Sequence, residues 1–309
     1  MKTQLGLIRL IVGVSALVSS ASALGQQEAV TATYDKQNDW IVFEWFNPQT
    51  GKQQATLESF NSVNPVIHAQ VSFDSASGAY TYTYQIGNLA GAKQILDDID
   101  VKHPSAVFDA ASPSPESDWY STENQGQNSW SWSKVKGDVR GIPAGQTVSG
   151  FSFKSKGLPG IVNSTFAGKR RVKFKPPSPD RESIEVQQSF NRVYKATVAQ
   201  YPDKFGTAVT RKTIGPIDPP AFNAASAIQN LITLVNQSKA QGWIDNDGIV
   251  TSLLAKLNTA QSKVGTDKAT AKNTLNAFMN EVSAQNGKHL TSEAYALLYF
   301  NAQYAVNHL

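Results

Sequence analysis

The sequence has no cysteine, only 2 methionines and only 4 histidines in 309 residues. The first absence excludes a disulfide framework, a thiol nucleophile and thiolate metal ligation. His68, His103, His289 and His308 are widely scattered, and none stands in H-E-x-x-H or another zinc-type spacing. They read as ordinary surface or interface histidines, and no metal site is expected. No G-x-S-x-G elbow occurs, which argues against an α/β-hydrolase. Charge is also sparse: 17% of residues are charged and the net charge is +4, too little to imply nucleic acid as a partner. Glycine and proline are near ordinary usage, so collagen-like and low-complexity classes are out. Against these absences, 40% hydrophobic residues suffice for one large or two small domains with real cores.

The first segment, MKTQLGLIRLIVGVSALVSSASALG, places Lys2 and Arg9 before or inside an apolar stretch that ends in Ala21-Ser22-Ala23. Basic region, apolar region and A-x-A site in that order predict a secretory signal peptide over residues 1–23. A membrane anchor is the competing reading; Arg9 interrupts the stretch, which falls short of the ~20 apolar residues of a span. Loss of this segment would leave a charge of about +2 and no further spanning run. A secreted or periplasmic location is therefore expected.

Residues 24–168 read as a β-domain. The clearest strand is Ala79–Ile86, where Tyr80, Tyr82, Tyr84 and Ile86 alternate with Thr81, Thr83 and Gln85. Seven more are expected at Ala29–Tyr34, Trp40–Phe46, Val66–Phe73, Ile95–Val101, Trp130–Val135, Thr147–Lys154 and Ile161–Phe166, separated by turn signals such as Asn47-Pro48 and Asn64-Pro65. Eight short strands without βαβ alternation predict an antiparallel sandwich and count against a nucleotide-binding sheet. Residues 169–220 read as a basic, proline-containing connector, with partial helical spacing from Ile184 to Tyr201. From 221 to 309 the period is helical. Four apolar stripes begin at Ile228, Ile249, Leu275 and Ala294, and short connections predict an antiparallel four-helix bundle. The overall fold expected is thus an all-β immunoglobulin-like sandwich followed by a small all-α bundle.

Within the helical part, three groups of residues form a distinctive set: Gly242-Trp243-Ile244; Ser252–Leu257 with Ala260; and Ala271–Val282 followed by Gly287-Lys288-His289-Leu290-Thr291-Ser292-Glu293-Ala294. In them the segment of about 226–309 resembles the FIMAH domain, a helical module at the C-terminal end of exported bacterial proteins. The resemblance implies an accessory helical unit with no catalytic role to carry over. Residues 28–168 resemble only immunoglobulin-like sandwiches in general, most distinctively at Gly150-Phe151-Ser152-Phe153 and Gly157-Leu158-Pro159-Gly160. That is a likeness of fold, which does not give function.

Ser133-Lys134-Val135-Lys136 matches S-x-x-K, but a strand there would not bring the two side chains together as a helical turn does. Asp97, Asp98 and Asp100 are hard ligands of the calcium type, though a solvated strand end explains them better. With Glu116 and Asp118 they also supply the carboxylates a glycosidase would need. Asp245-Asn246-Asp247-Gly248 has the wrong register for an EF-hand and reads as a helix cap. The basic run Lys169 to Lys175 reads as a strand edge with solvated lysines. The aromatics Trp119, Tyr120, Trp130 and Trp132 lie in a stretch rich in Ser, Asn and Gln, and an extended strand projects Trp130 and Trp132 from one face. Exposed, these rings would stack on sugars; the alternative, which large indoles favour, is the sandwich core.

These features point to an exported, non-enzymatic binding or surface protein. Its expected ligand is a polysaccharide or envelope component held by the sandwich, with a protein partner for the helical segment. Two other readings are a structural envelope component and an exported glycoside hydrolase. No catalytic residue is assigned and no cofactor is implied.

Overall fold

The structure, a computed structural model, describes residues 28–113, 119–124, 129–134, 141–206 and 208–309. The segment read as a signal peptide lies outside these residues, as do Glu116 and Asp118. A β-rich region of three sheets is followed by C-terminal helices. Contacts divide the chain into two compact units: residues up to Ser62 with Arg170–Thr207, and Val63–Lys169 with Ala208–Leu309.

In the first unit, β1 (Val30–Asp35), β2 (Trp40–Asn47) and β3 (Gly51–Glu58) form an antiparallel meander. Ile41, Phe43 and Trp45 alternate onto one face of β2 and are buried beneath helix α1 (Ile184–Gln200). That helix meets them with Val186, Phe190 and Val193, whose spacing lines one helical face. The Phe43 and Phe190 ring centroids lie 4.9 Å apart. A short helix, α2 (Pro202–Phe205), closes the same core with Phe205. The basic run is not a strand edge. Arg171 turns back to the buried Glu58, its Nε lying 2.5 Å from Oε1, while the Val172 amide donates to Oε2 at 3.1 Å. Burial of a carboxylate demands such donors, and this demand ties the loop down.

The second unit holds two further sheets. One has the order β4 (Pro65–Asp74), β5 (Ala79–Asn88), β10 (Gln146–Ser155), β7 (Val107–Ala111). The other has the order β12 (Val209–Ile217), β11 (Leu158–Gly168), β6 (Leu96–Lys102), β9 (Ser129–Lys134), β8 (Trp119–Asn124). Both are antiparallel throughout. Their inner rows meet through aromatic rings. Trp132 of β9 lies 5.5 Å from Phe151 and 6.1 Å from Phe153, both on β10. Tyr82 and Tyr84, buried on β5, donate their hydroxyls to the carbonyls of Gly157 and Ile214 at 2.8 and 2.9 Å. A buried phenol requires such an acceptor, and burial holds both hydroxyls well above their ordinary pKa.

Helices α3 (Ala224–Ala240), α4 (Asp247–Lys263), α5 (Lys268–Gln285) and α6 (Ser292–His308) follow, and each contacts the next while α6 also contacts α3. Asn223, Asn246, Asp267 and Thr291 cap them, each side chain accepting a backbone N–H of the first turn. Asn246 is therefore the helix cap that the Asp-Asn-Asp-Gly stretch suggested. Apolar nearly all round, α6 is buried on most of its faces and packs on β4, β11 and β12 as well as on its neighbouring helices. Glu293 accepts the Ala69 amide of edge strand β4 at 2.7 Å, and Asn301 donates to Pro159 O of β11 at 2.8 Å. Helices and both sheets consequently share one hydrophobic core.

The stretch 169–220, read from the sequence as a connector, contains α1, α2 and β12. The apolar positions of α1 needed a sheet face to bury, and they find one in β1–β3. Val209–Ile217 pairs along its length with β11, its Pro216 tolerated because β12 is an edge strand.

Candidate ligand-binding face

Cross-strand pairing in the five-stranded sheet decides which side chains share a face. In β6, Ile99 and Val101 are buried on the inner side, so Asp98, Asp100 and Lys102 stand on the outer one. Register then aligns outer rows across four strands. Tyr120 of β8, Ser133 of β9 and Asp98 of β6 form one; Thr122, Ser131, Asp100 and Thr165 of β11 form the next. The rows are tied laterally, since Ser133 Oγ donates to Asp98 Oδ1 at 2.9 Å and Ser131 Oγ to Asp100 Oδ2 at 3.0 Å. Asp100 Oδ1 accepts no hydrogen bond and lies 4.0 Å from Lys102 Nζ. A carboxylate has about four acceptor sites, so the exposed Asp98 retains capacity for an external donor, whereas Asp100 Oδ1 is buried away from solvent. Tyr120 projects beside them with 59% of its surface exposed.

The four aromatics singled out in the sequence do not make one platform. Trp132 is fully buried, and its Nε1 donates to Ala111 O at 3.2 Å. Trp119, 8% exposed, packs edge-on to Phe151 at 5.0 Å. The core outcompetes solvent for these indoles because each removes a large apolar area from water. Trp130 occupies β9 opposite Val101. The Trp130 side chain lies outside those described; of the other three, Tyr120 is the one at the surface, its sequence parity opposite to that of Trp119.

Asp97 departs from its neighbours. Partial burial, reinforced by the charge of Asp98 and opposed by Lys169, raises its pKa to about 6. Ser133 of the S-x-x-K stretch lies on a strand and donates to Asp98, while Lys136 lies outside the described residues. Of the histidines, His103 is buried rather than superficial, with Nδ1 3.1 Å from Ser105 O. His68 is exposed, 3.6 Å from Glu293; His308 Nδ1 lies 2.8 Å from Tyr304 O, and His289 Nδ1 lies 2.8 Å from Asp245 Oδ1.

That last pair belongs to a junction of two loops at one end of the helices. Ile244 bridges Leu290, Asp245 N donates to His289 O at 3.2 Å, and Thr291 N donates to Trp243 O at 3.0 Å. Gly242 and Gly287 enter these loops with φ of 73°, the left-handed region that glycine adopts without strain. The Gly-Trp-Ile and Gly-Lys-His-Leu-Thr stretches thus recur together because they pair.

Residues 228–307 match the FIMAH domain family, a span that overlaps α3–α6 and leaves the sheets unassigned. Comparison with curated proteins finds no match to the chain.

Proposed function

We propose that the chain is an exported, non-enzymatic binding protein whose ligand is a carbohydrate held on the outer face of β6, β8 and β9. One observation carries this reading: an exposed aromatic ring, Tyr120, stands in register with a lateral ladder of serines and aspartates. Aromatic rings stack on the apolar faces of sugars, and fixed carboxylates accept sugar hydroxyls. The signal-like segment supports export. The facing inner rows support an immunoglobulin-like sandwich for the two sheets of the second unit. The ring of helix contacts supports a four-helix bundle for α3–α6.

The test is affinity electrophoresis of the purified protein through gels containing a panel of neutral and acidic polysaccharides. Retardation by at least one polymer, weakened about tenfold by Tyr120→Ala and by Asp98→Asn, is the expected result. No retardation by any polymer, or retardation untouched by either substitution, removes the sheet face as a sugar site. Weight would then pass to a structural envelope role, shown by stable co-purification with a second protein.

A further inference from the structure

The solvent side of α3 is unusual for a surface helix, which ordinarily carries charge there. From Ala224 to Ser238 it has no charged residue at all, and Ser226, Gln229, Asn230, Thr233, Asn236 and Gln237 are exposed. At its N-terminal end opens a cavity of about 80 Å³ walled by Leu158, Pro219, Phe222, Ala227 and Tyr304. Asn301, 7% exposed, also lines it. Both hydrogen bonds of the Asn301 side chain run through its amide nitrogen, to Pro159 O and Leu297 O. Two carbonyl partners fix the orientation of the amide, so Oδ1 is the polar atom left for the cavity. Ser226 and Asn230 belong at once to this cavity and to a shallower hollow lined by Gln229, Thr233 and Gln261. Gln261 Oε1 is itself buried without a hydrogen-bond partner.

An apolar socket with one unmet acceptor, opening onto a field of amides and hydroxyls without charge, selects a neutral ligand rich in donors and bearing a small apolar amide. We infer that α3 and α6 form a site for an N-acetylated amino sugar within a polymer. The acetamido methyl fills the socket and its N–H donates to Asn301 Oδ1, while ring hydroxyls bond to Ser226, Asn230 and Thr233. None of these residues belongs to the Tyr120 face, so either site can fail without the other.

The experiment is calorimetric titration of the purified full chain with tetra-N-acetylchitotetraose and, in parallel, with cellotetraose, which has the same linkage and no acetamido group. The N-acetylated tetramer should bind at least ten times more tightly. Ala227→Leu, which fills the socket, should weaken that binding at least tenfold, and Asn230→Ala several-fold. Should Ala227→Leu fail to fold by circular dichroism, the surface substitution Asn230→Ala decides. Equal affinity for the two tetramers, no binding of the N-acetylated one at millimolar concentration, or binding that survives both α3 substitutions overturns the assignment. Tighter binding of an N-acetylated peptide than of the sugar transfers the socket to a protein ligand and overturns it equally.

Discussion

Truncating Glu293 tests whether the helical segment is integral to the β-structure of its unit. Strand β4 ends its sheet, so alternate amides point away from β5 and need other partners. The Ala69 amide is fully buried and finds the Glu293 carboxylate at 2.7 Å. Hydrogen bonds to a charged acceptor contribute about 1.5–3 kcal/mol, and a buried N–H left without one costs about 1–3 kcal/mol. His68, exposed and 3.6 Å away, adds little. Glu293→Ala should therefore remove about 2 kcal/mol from the second unit, lowering its urea midpoint by about 1 M for a slope near 2 kcal/mol per M. Glu293→Gln keeps an acceptor and should lose less than half as much, part of it from weaker interaction with the α6 N-terminus. Hydrogen exchange at the Ala69 amide reads the bond directly and should quicken about 30-fold in Glu293→Ala, the factor corresponding to 2 kcal/mol. An unchanged midpoint together with unchanged Ala69 protection would refute the reasoning. A Glu293→Gln variant as damaged as Glu293→Ala would show that charge, not the acceptor, was holding the strand.

Four further outcomes follow from side chains already described. Asp97, with its pKa raised to about 6, favours the folded state less once ionised, so stability declines as pH rises from about 4 to about 6. Asp97→Asn should flatten that slope and gain about 1 kcal/mol at pH 7, discounted for partial exposure, as read from thermal melts across the window. Trp132→Ala empties a fully buried site and should cost about 3–5 kcal/mol in urea unfolding, with loss of near-ultraviolet dichroism. Arg171→Ala leaves the Glu58 carboxylate, 1% exposed, without its guanidinium partner and should destabilise the first unit by about 3 kcal/mol, seen as faster exchange of β2 and β3 amides. Gly287→Ala places a side chain where φ is 73° but no atom lies within 4 Å, so the backbone alone sets the cost, about 1–2 kcal/mol by chemical denaturation.

The elements readable in the sequence were those whose period is unmistakable. All eight expected strands are present, and the four helical stripes fall within α3–α6. β3, β7, β8 and β12 escaped notice for separable reasons. β3, GKQQATLE, is polar over its first half and is drawn into the sheet by its hairpin with β2. β7 is short, and Asp109 within it takes a φ of 50°. β8 and β12 carry polar residues or Gly-Pro within the strand, signals that on their own indicate loops.

Long-range pairing was the information missing from local pattern, and it also decided the site. Parity along β8 separates Tyr120 from Trp119, but only the register to β9 and β6 shows that Tyr120 shares a row with Ser133 and Asp98. The same limit explains why the compact units cut across the changes in composition. Composition changes sharply at Lys169 and again after Pro220, yet the chain returns to the first sheet with α1 and to the third with β12 between those points. A helical segment that looks detachable by period is, through Glu293, Asn301 and the buried faces of α6, the wall against which β4, β11 and β12 close. Removing residues 221–309 should therefore not leave the second unit folded, and a soluble, cooperatively melting fragment ending at residue 220 would contradict that shared core.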